Sequence, residues 1–377
     1  MFTSVSAHGH LLPLAPLMQA ALDADHQVAV MVSVDLSDTV RTELPDGVEF
    51  LPAGPMPLQL ATEAARRTGG DVMQPTIAGI GETFGGVLLD LSIEQALPAA
   101  REWGAQAVIA DMYSTLGEFL GAALDIPWYR FVMSVPLPPE WSAAIQSARD
   151  LRLTQHGLTT VPPAGTFDIW PAELADPGEE APTSQQPPTL QVQAEAHGGR
   201  VHEEGPRVQA FPDRPRVLVT LGTTFSDAGL LERFVHEVAA TEVEVIATRG
   251  MLLGVTEVVE AQRDQNHPHV TWVPFTPIAS LLDGVSAVVS VGGAGTVLAA
   301  LSRGLPLVLW PQGADQPRIA ASVASASAGV VLTTPDDLQV AVKSVLTEAT
   351  YRDGAQAVAA RIAAAATFEQ AVAHFFG

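Results

Sequence analysis

The stretch Val285-Ser-Ala-Val-Val-Ser-Val-Gly-Gly-Ala-Gly-Thr-Val-Leu-Ala-Ala-Leu-Ser-Arg-Gly-Leu-Pro-Leu-Val-Leu-Trp-Pro-Gln-Gly-Ala-Asp-Gln316 decides the reading of the chain. Ala287–Val291 is a short apolar run rich in β-branched residues, which reads as a buried strand. Gly292, Gly293 and Gly295 then remove side chains where the chain turns and a ligand can approach closely. Thr296–Leu301 continues as a helix that Gly304 and Pro306 stop, and Leu305–Trp310 reads as the next strand. A strand, a glycine turn and a helix N-terminus together form an anion site, because free N–H groups and the positive end of the helix dipole converge. A diphosphate is the natural occupant. A βα turn that merely tolerates glycine has the same sequence, so the motif alone does not decide.

Working outward, the same alternation recurs. In the second half, Val217–Leu221, Val243–Thr248 and Val270–Val273 read as strands, with a helix over Leu230–Ala239 and a small polar turn at Gly222-Thr223-Thr224. In the first half, Phe2–Ser6, Gln27–Ser33, Val48–Leu51, Ala105–Ala110 and Ile126–Met133 read as strands. Helical patterns cover Val87–Ala100, Thr115–Leu124 and Trp141–Gln155. Pro52–Gly86 reads as loop, punctuated by Pro55, Pro57, Gly69 and Gly70. Gly79-x-Gly81-x-x-Phe84 misses the dinucleotide fingerprint at its last position and follows no clear strand. Pro136–Pro206 has poor periodicity and reads as some helix, loops and a linker, with Trp141, Phe167 and Trp170 either lining an apolar pocket or packing beneath loops. Two rounds of strands and helices split by a linker predict an α/β protein of two doubly wound, Rossmann-like domains that face each other across a cleft. The expected division is 1–205 and 206–377, with the last helix packing back on the first domain.

Composition removes several classes of function. The 377 residues carry 42 acidic against 19 basic side chains, a formal net charge of -23. Nucleic acid and anionic membranes are therefore not expected partners, since both need a cationic face. Cysteine is absent, which excludes disulfides, thiolate metal sites and cysteine nucleophiles. Lys343 is the single lysine, so there is no Walker-type phosphate loop. No apolar run is long enough to span a membrane and no cationic leader precedes an apolar core, so a cytoplasmic protein is expected.

Two residues in the first half are candidates for acid–base chemistry. His10 follows the first strand and precedes a helix that Pro13 can open, which predicts a loop at the carboxyl edge of the sheet. Histidine titrates near neutral pH and suits a general base. A loop histidine with no role fits the position as well. His8 and His10 lack a third ligand at a recognisable metal spacing. Asp111 ends its strand at the same edge, where it can orient an imidazole, cap the next helix, or both.

At this point the chain resembles the GT-B nucleotide-sugar glycosyltransferases, and most closely the bacterial natural-product enzymes that attach deoxysugars to macrolide, polyketide and other antibiotic aglycones. Gly9-His10-Leu11-Leu12-Pro13 resembles the family's G-H-x-x-P, whose histidine is the catalytic base. Asp111 falls where the family places its partner aspartate. Val219-Thr220-Leu221-Gly222-Thr223 resembles the turn that touches the nucleotide phosphates, and Trp272-Val273-Pro274-Phe275 the loop beside the nucleobase. Gly292-Gly293-Ala294-Gly295-Thr296 resembles the diphosphate turn, and Pro311–Gln316 the segment whose Asp315-Gln316 pair binds sugar hydroxyls. Six weak motifs in the right order over nearly the whole chain make a strong one.

The resemblance implies inverting transfer from a nucleoside-diphosphate sugar, a TDP-sugar more than a UDP-sugar, to a small aglycone. It implies no cofactor or metal, with the helix terminus neutralising the leaving group. Oligomeric state stays open between a monomer and a homodimer.

Two departures stand out. The family's histidine before the glycine turn is Val291 here, a lost donor worth about 1–3 kcal/mol unless Ser290, Thr296 or Thr223 substitutes. That loss keeps in view a catalytically weak or silent homologue that binds nucleotide or aglycone or assists a partner enzyme. The first strand also has fewer residues before Gly9-His10 than is usual, as a truncated or mis-assigned start would produce. A sugar-nucleotide epimerase of the same fold is the third reading, and the G-H-x-x-P motif argues against it.

Overall fold

The computed structural model describes residues 1–72, 74–174, 187–199, 213–222, 228–249, 262–264 and 267–377. They form two compact units. Among the described residues the first unit takes 1–169, 187–192 and 366–377, and the second 170–174 and 193–365. The division expected at 205/206 lies outside the described residues.

The first unit holds a seven-stranded sheet. Its strands are β1 (Phe2–Thr3), β2 (Ala29–Val32), β3 (Glu49–Pro52), β4 (Val108–Asp111), β5 (Trp128–Val132), β6 (Gly165–Asp168) and β7 (Thr189–Gln191). The order is β3-β2-β1-β4-β5-β6-β7, with all neighbours parallel. Strands β1, β2 and β4 are buried throughout, as expected where helices cover both faces of a parallel sheet. One helical layer rests on Leu89, Ala96, Ala100, Phe119 and Leu120, packed against Ala110 and Trp128. The terminal helix, Phe368–Phe376, also belongs to this unit, where Phe375 and Phe376 meet Tyr129 and Phe167.

The second unit repeats the plan. Its strands are β8 (Arg216–Thr220), β9 (Glu244–Thr248), β10 (Gln262–Arg263), β11 (Val270–Val273), β12 (Val285–Ser290), β13 (Leu307–Leu309) and β14 (Gly329–Val331). Their order is β10-β11-β9-β8-β12-β13-β14, and only the edge strand β10 runs antiparallel. Phe234, Val235 and Val238 from one helix and Leu338, Val342 and Val345 from another close over Val217, Val219, Val245 and Val289.

Several expectations are corrected. Pro52–Gly86 is not loop: helices run over Pro57–Thr68 and Ile77–Gly81, and a π-helical turn spans Glu82–Val87. Pro57 opens the first helix and Gly69, at φ +71°, closes it, so the two residue types mark helix ends here. The first strand is only Phe2–Thr3, because the Val5 N–H turns to the Asp111 carboxylate and the chain bends at Ser6–Ala7. Pro136–Pro206 contributes β6 and β7, three or four residues each and too short to show a period. Phe167 and Trp170 are buried, so they pack the interior and line no open pocket; Trp141 is half-buried at the start of the helix Pro139–Gln155.

Candidate active site

Each sheet reverses its winding direction once. In the first unit the chain leaves β1 toward β2 on one side and resumes at β4 on the other. In the second unit β8 and β12 play the same parts. Crevices at the carboxyl ends of such strand pairs are where open α/β sheets bind ligands. His10 and Asp111 fall at the first switch point and Gly222 and Gly292–Thr296 at the second, whereas Trp272 and Val273 lie on β11 and Asp315 and Gln316 follow β13.

At the first, β1 and β4 are in parallel register, Thr3 beside Ala110, so the chain after Thr3 and the side chain of Asp111 emerge together. Asp111 is 2% exposed. Its Oδ2 accepts the peptide N–H of Val5 and its Oδ1 that of Tyr113, each at 2.7 Å. His10 Nδ1 faces Oδ1 at 3.4 Å, and the imidazole keeps 26% of its exposure. His10 is not in a loop as expected. It lies in a helical turn, His8–Leu11, which begins before Pro13 because the chain turns at Ser4–Ala7 and the Leu11 N–H bonds the Ala7 carbonyl. The ring of Tyr113 meets the imidazole edge-on at 5.2 Å.

His8 turns elsewhere. Its Nε2 pairs with the Thr39 hydroxyl at 2.8 Å, and burial pulls its pKa below the ordinary histidine value against the opposing pull of Glu43. It therefore does not pair with His10, and among the described residues no cluster of His, Asp or Glu could hold a metal ion.

At the second switch point the strands end in hydroxyls. The Thr248 hydroxyl on β9 donates to that of Thr220 on β8 at 2.8 Å, and Thr220 pairs in register with Ser290 on β12. Thr220 Oγ1 accepts from the Gly222 N–H at 3.2 Å, and Ser290 Oγ accepts from the Gly292 N–H at 3.3 Å. Each hydroxyl thus shapes the turn that follows its strand. Gly222 and Gly292 have φ of +71° and +92°, conformations that side chains resist. Gly293 caps the helix Ala294–Ser302 without a side-chain partner for its amides. Ala294, Gly295 and Thr296 form its first turn, where backbone N–H groups have no acceptor within the helix. Gly295 is exposed and Gly293, Ala294 and Thr296 are half-buried. Thr223 lies outside the described residues.

Asp315 and Gln316 lie beside this turn. A Cβ placed on Gly292 would sit 3.8 Å from the Cβ of Gln316. Gln316 is 4% exposed, and its amide oxygen accepts from the N–H groups of Gln312 and Gly313 at 2.8 and 3.3 Å. It therefore builds the loop in which Ala314 takes a positive φ of 55° and Asp315 caps the next helix. Trp272, one residue before the end of β11, donates to Asp264 at 3.1 Å and carries the Arg249 guanidinium 5.3 Å from its ring centre. Val273 is a core side chain whose carbonyl accepts from the Arg249 N–H. Val291 is also in the core, 1% exposed among the apolar residues between the sheet and its helices.

Sequence reasoning missed Tyr113, Phe84, Thr248 and Arg249. Thr220, Thr248 and Ser290 carried one legible signal: each is a hydroxyl closing an apolar strand.

Solved structures share this architecture. A glycosyltransferase of Streptomyces sp. SF2575, complexed with thymidine diphosphate, superposes with a TM-score of 0.82 at 24% identity over 99% of this chain and 98% of its own. The spinosyn rhamnosyltransferase SpnG, also complexed with thymidine diphosphate, gives 0.77 at 21% over 99% and 98%. The fold is thus that of the GT-B glycosyltransferases.

Residues 233–375 match the family model described as the C-terminal domain of erythromycin biosynthesis protein CIII-like proteins. The elloramycin glycosyltransferase of Streptomyces olivaceus is 28% identical over 88% of this chain and 85% of its own. The L-demethylnoviosyl transferase of Streptomyces niveus is 27% identical over 88% and 84%. Over most of its length the chain is thus similar to bacterial natural-product glycosyltransferases, and its second half carries the match to the family model. Among the described residues no helix is long and apolar enough to cross a membrane.

Proposed function

We propose that this glycosyltransferase moves a deoxysugar from a TDP-linked donor to a hydroxyl of a natural-product aglycone, with inversion at the anomeric carbon. The observation that carries the reading is the imidazole of His10 held against the buried carboxylate of Asp111 at the first switch point. With Nδ1 turned toward Asp111, Nε2 is the nitrogen assigned here as the base.

In the proposed step the acceptor oxygen attacks the anomeric carbon while its proton passes to His10 Nε2. The carbon–oxygen bond to the diphosphate breaks, and Asp111 stabilises the imidazolium. The departing charge is received by the amides of Gly293–Thr296 and by the dipole of the helix Ala294–Ser302. The Gly222 turn and Trp272 belong to the nucleotide end of the donor, and Asp315 with Gln316 to the sugar, where alignment contributes to rate. The helix terminus supplies the neutralisation that a metal gives elsewhere, so turnover is expected in the presence of a chelator. The two relatives named as transferases and the two structures solved with thymidine diphosphate support this donor and chemistry.

A screen of TDP- and UDP-sugars against aromatic polyketide acceptors, read by mass spectrometry, tests the proposal. The expected product carries one added sugar, and its anomeric proton coupling reports inversion. No product, together with no nucleoside-diphosphate binding at millimolar ligand by calorimetry, would make the chain a silent homologue.

A further inference from the structure

The helix that ends at Trp103 begins irregularly. Between Glu82 and Val87 it widens into a π-helical turn. Such turns are rare and are frequently found at functional positions. This one is anchored against the helix Pro139–Gln155. A Cβ on Gly81 would lie 2.8 Å from the carbonyl oxygen of Ala144, and one on Gly85 would lie 2.2 Å from that of Ile145. Arg152, from the same helix, donates to both carboxylate oxygens of Glu82, at 3.0 and 2.9 Å. Backbone packed this closely does not slide.

The anchored turn presents Phe84. The Phe84 carbonyl accepts from the Thr115 hydroxyl at 2.5 Å. The Phe84 ring lies 5.1 Å from that of Tyr113, which in turn meets the His10 imidazole at 5.2 Å. Tyr113 is buried. Phe84, Ala7, Met112 and Leu137 are half-buried around it. Four separate segments therefore leave a strip of apolar surface near the His10 imidazole. The transfer chemistry above uses neither Phe84 nor Thr115. Apolar atoms left accessible next to a general base are suited to desolvating an apolar substrate, and a ring carried on a pinned backbone discriminates by shape.

We propose that Phe84, fixed by Thr115 and the π-helical turn, is the specificity-determining wall of the acceptor site, and that it selects acceptors whose reacting hydroxyl sits on a flat, fused-ring aromatic body. The inference rests on the glycosyl-transfer reading of His10. A planar ring loses no internal rotation when it stacks on a fixed wall, whereas a flexible chain must be ordered first. Thr115 is a positioning residue, acting on the acceptor only through Phe84.

The test uses the full chain, alizarin as the fused-ring acceptor, 4-nitrophenol as the single-ring acceptor, and whichever nucleoside-diphosphate sugar is turned over best. Phe84→Ala is expected to lower kcat/KM for alizarin about tenfold relative to 4-nitrophenol, through KM for the acceptor, with KM for the donor unchanged. Thr115→Val should reproduce part of that loss and Thr115→Ser should restore it. Phe84→Leu, which keeps most of the volume, guards against a folding defect in Phe84→Ala. Calorimetric titration of alizarin without donor should weaken in the same order. The proposal is overturned if the wild type turns alizarin over and both Phe84→Ala and Thr115→Val leave the ratio within twofold. It is also overturned if the wild type does not bind alizarin. If no donor is consumed but alizarin binds and Phe84→Ala weakens it, the transfer reading fails and the wall stands.

Discussion

Asp111 turns one carboxylate oxygen toward His10 Nδ1 at 3.4 Å while both of its oxygens accept peptide N–H groups at 2.7 Å, from Val5 and Tyr113. The aspartate is thus fixed from the backbone of both strands' outgoing segments, and the imidazole is oriented against it.

Asp111→Asn is expected to be more than a loss of charge. An amide presents only one oxygen, so either the Val5 or the Tyr113 N–H would face an NH2 group. We expect kcat to fall by about two to four orders of magnitude, the range of a general base with its orienting partner removed. His10→Ala should fall at least as far, with a smaller loss in melting temperature, because the imidazole is partly exposed and the aspartate is not. Steady-state kinetics and thermal melts of both variants check this. Full activity of His10→Ala would remove the proposed base.

The glycine turn allows fold and ligand binding to be separated. A Cβ on Gly293 or Gly295 would meet no atom within 4 Å, and neither residue has a positive φ. Gly293→Ala and Gly295→Ala should therefore leave stability within about 1 kcal/mol of wild type. If a diphosphate docks on these amides, each methyl occupies its space, and binding of thymidine diphosphate should weaken about tenfold or more by calorimetry. Unchanged binding in both variants would move the diphosphate elsewhere.

Much of this arrangement was readable in the chain, and the rest was not, for specific reasons. The central strands show as apolar runs because helices bury both their faces, and the turns after β8 and β12 show because the backbone there needs glycine. The segment Pro57–Val87 misled because proline and glycine start and stop helices as readily as they make loops. The π-helical turn has no local signature: it depends on contacts with Ala144 and Ile145, some 60 residues further on. The use of the Gln316 amide oxygen inside its own loop was equally hidden, since it depends on the approach of the Gln312 and Gly313 N–H groups.

The carboxylates around Arg152 predict a pH dependence of stability. Burial by itself would raise the pKa of Asp90, but hydrogen bonds and charge from Arg152 and Arg67 outweigh it and hold the carboxyl below its ordinary value. A depressed carboxyl adds stability above the unfolded-state pKa and loses it as pH falls through the folded value. Asp90→Asn should therefore cost about 1 kcal/mol at pH 7, a figure kept small because the side chain is 31% exposed and screened by solvent. The difference from wild type should shrink as pH drops below about 4. Urea denaturation of both proteins at pH 7 and at pH 3 to 4 measures it. An equal gap at both ends would show that the charge of Asp90 contributes nothing.

Val291 raises the question of whether a missing donor weakens the enzyme. Its side chain is 1% exposed and packs with Val289 and Leu221 in the core of the second unit, while the adjacent Ser290 hydroxyl already accepts the Gly292 N–H. A histidine introduced here would follow the same direction into apolar surroundings. Each ring nitrogen left without a partner there costs about 1–3 kcal/mol. Val291→His should accordingly lower the melting temperature by several degrees and leave thymidine diphosphate binding no tighter than in the wild type. Chemical denaturation paired with calorimetry decides it. A stable variant that bound the nucleotide several-fold more tightly would mean that the turn can swing this side chain outward, and that valine here is a true loss of function in the donor site.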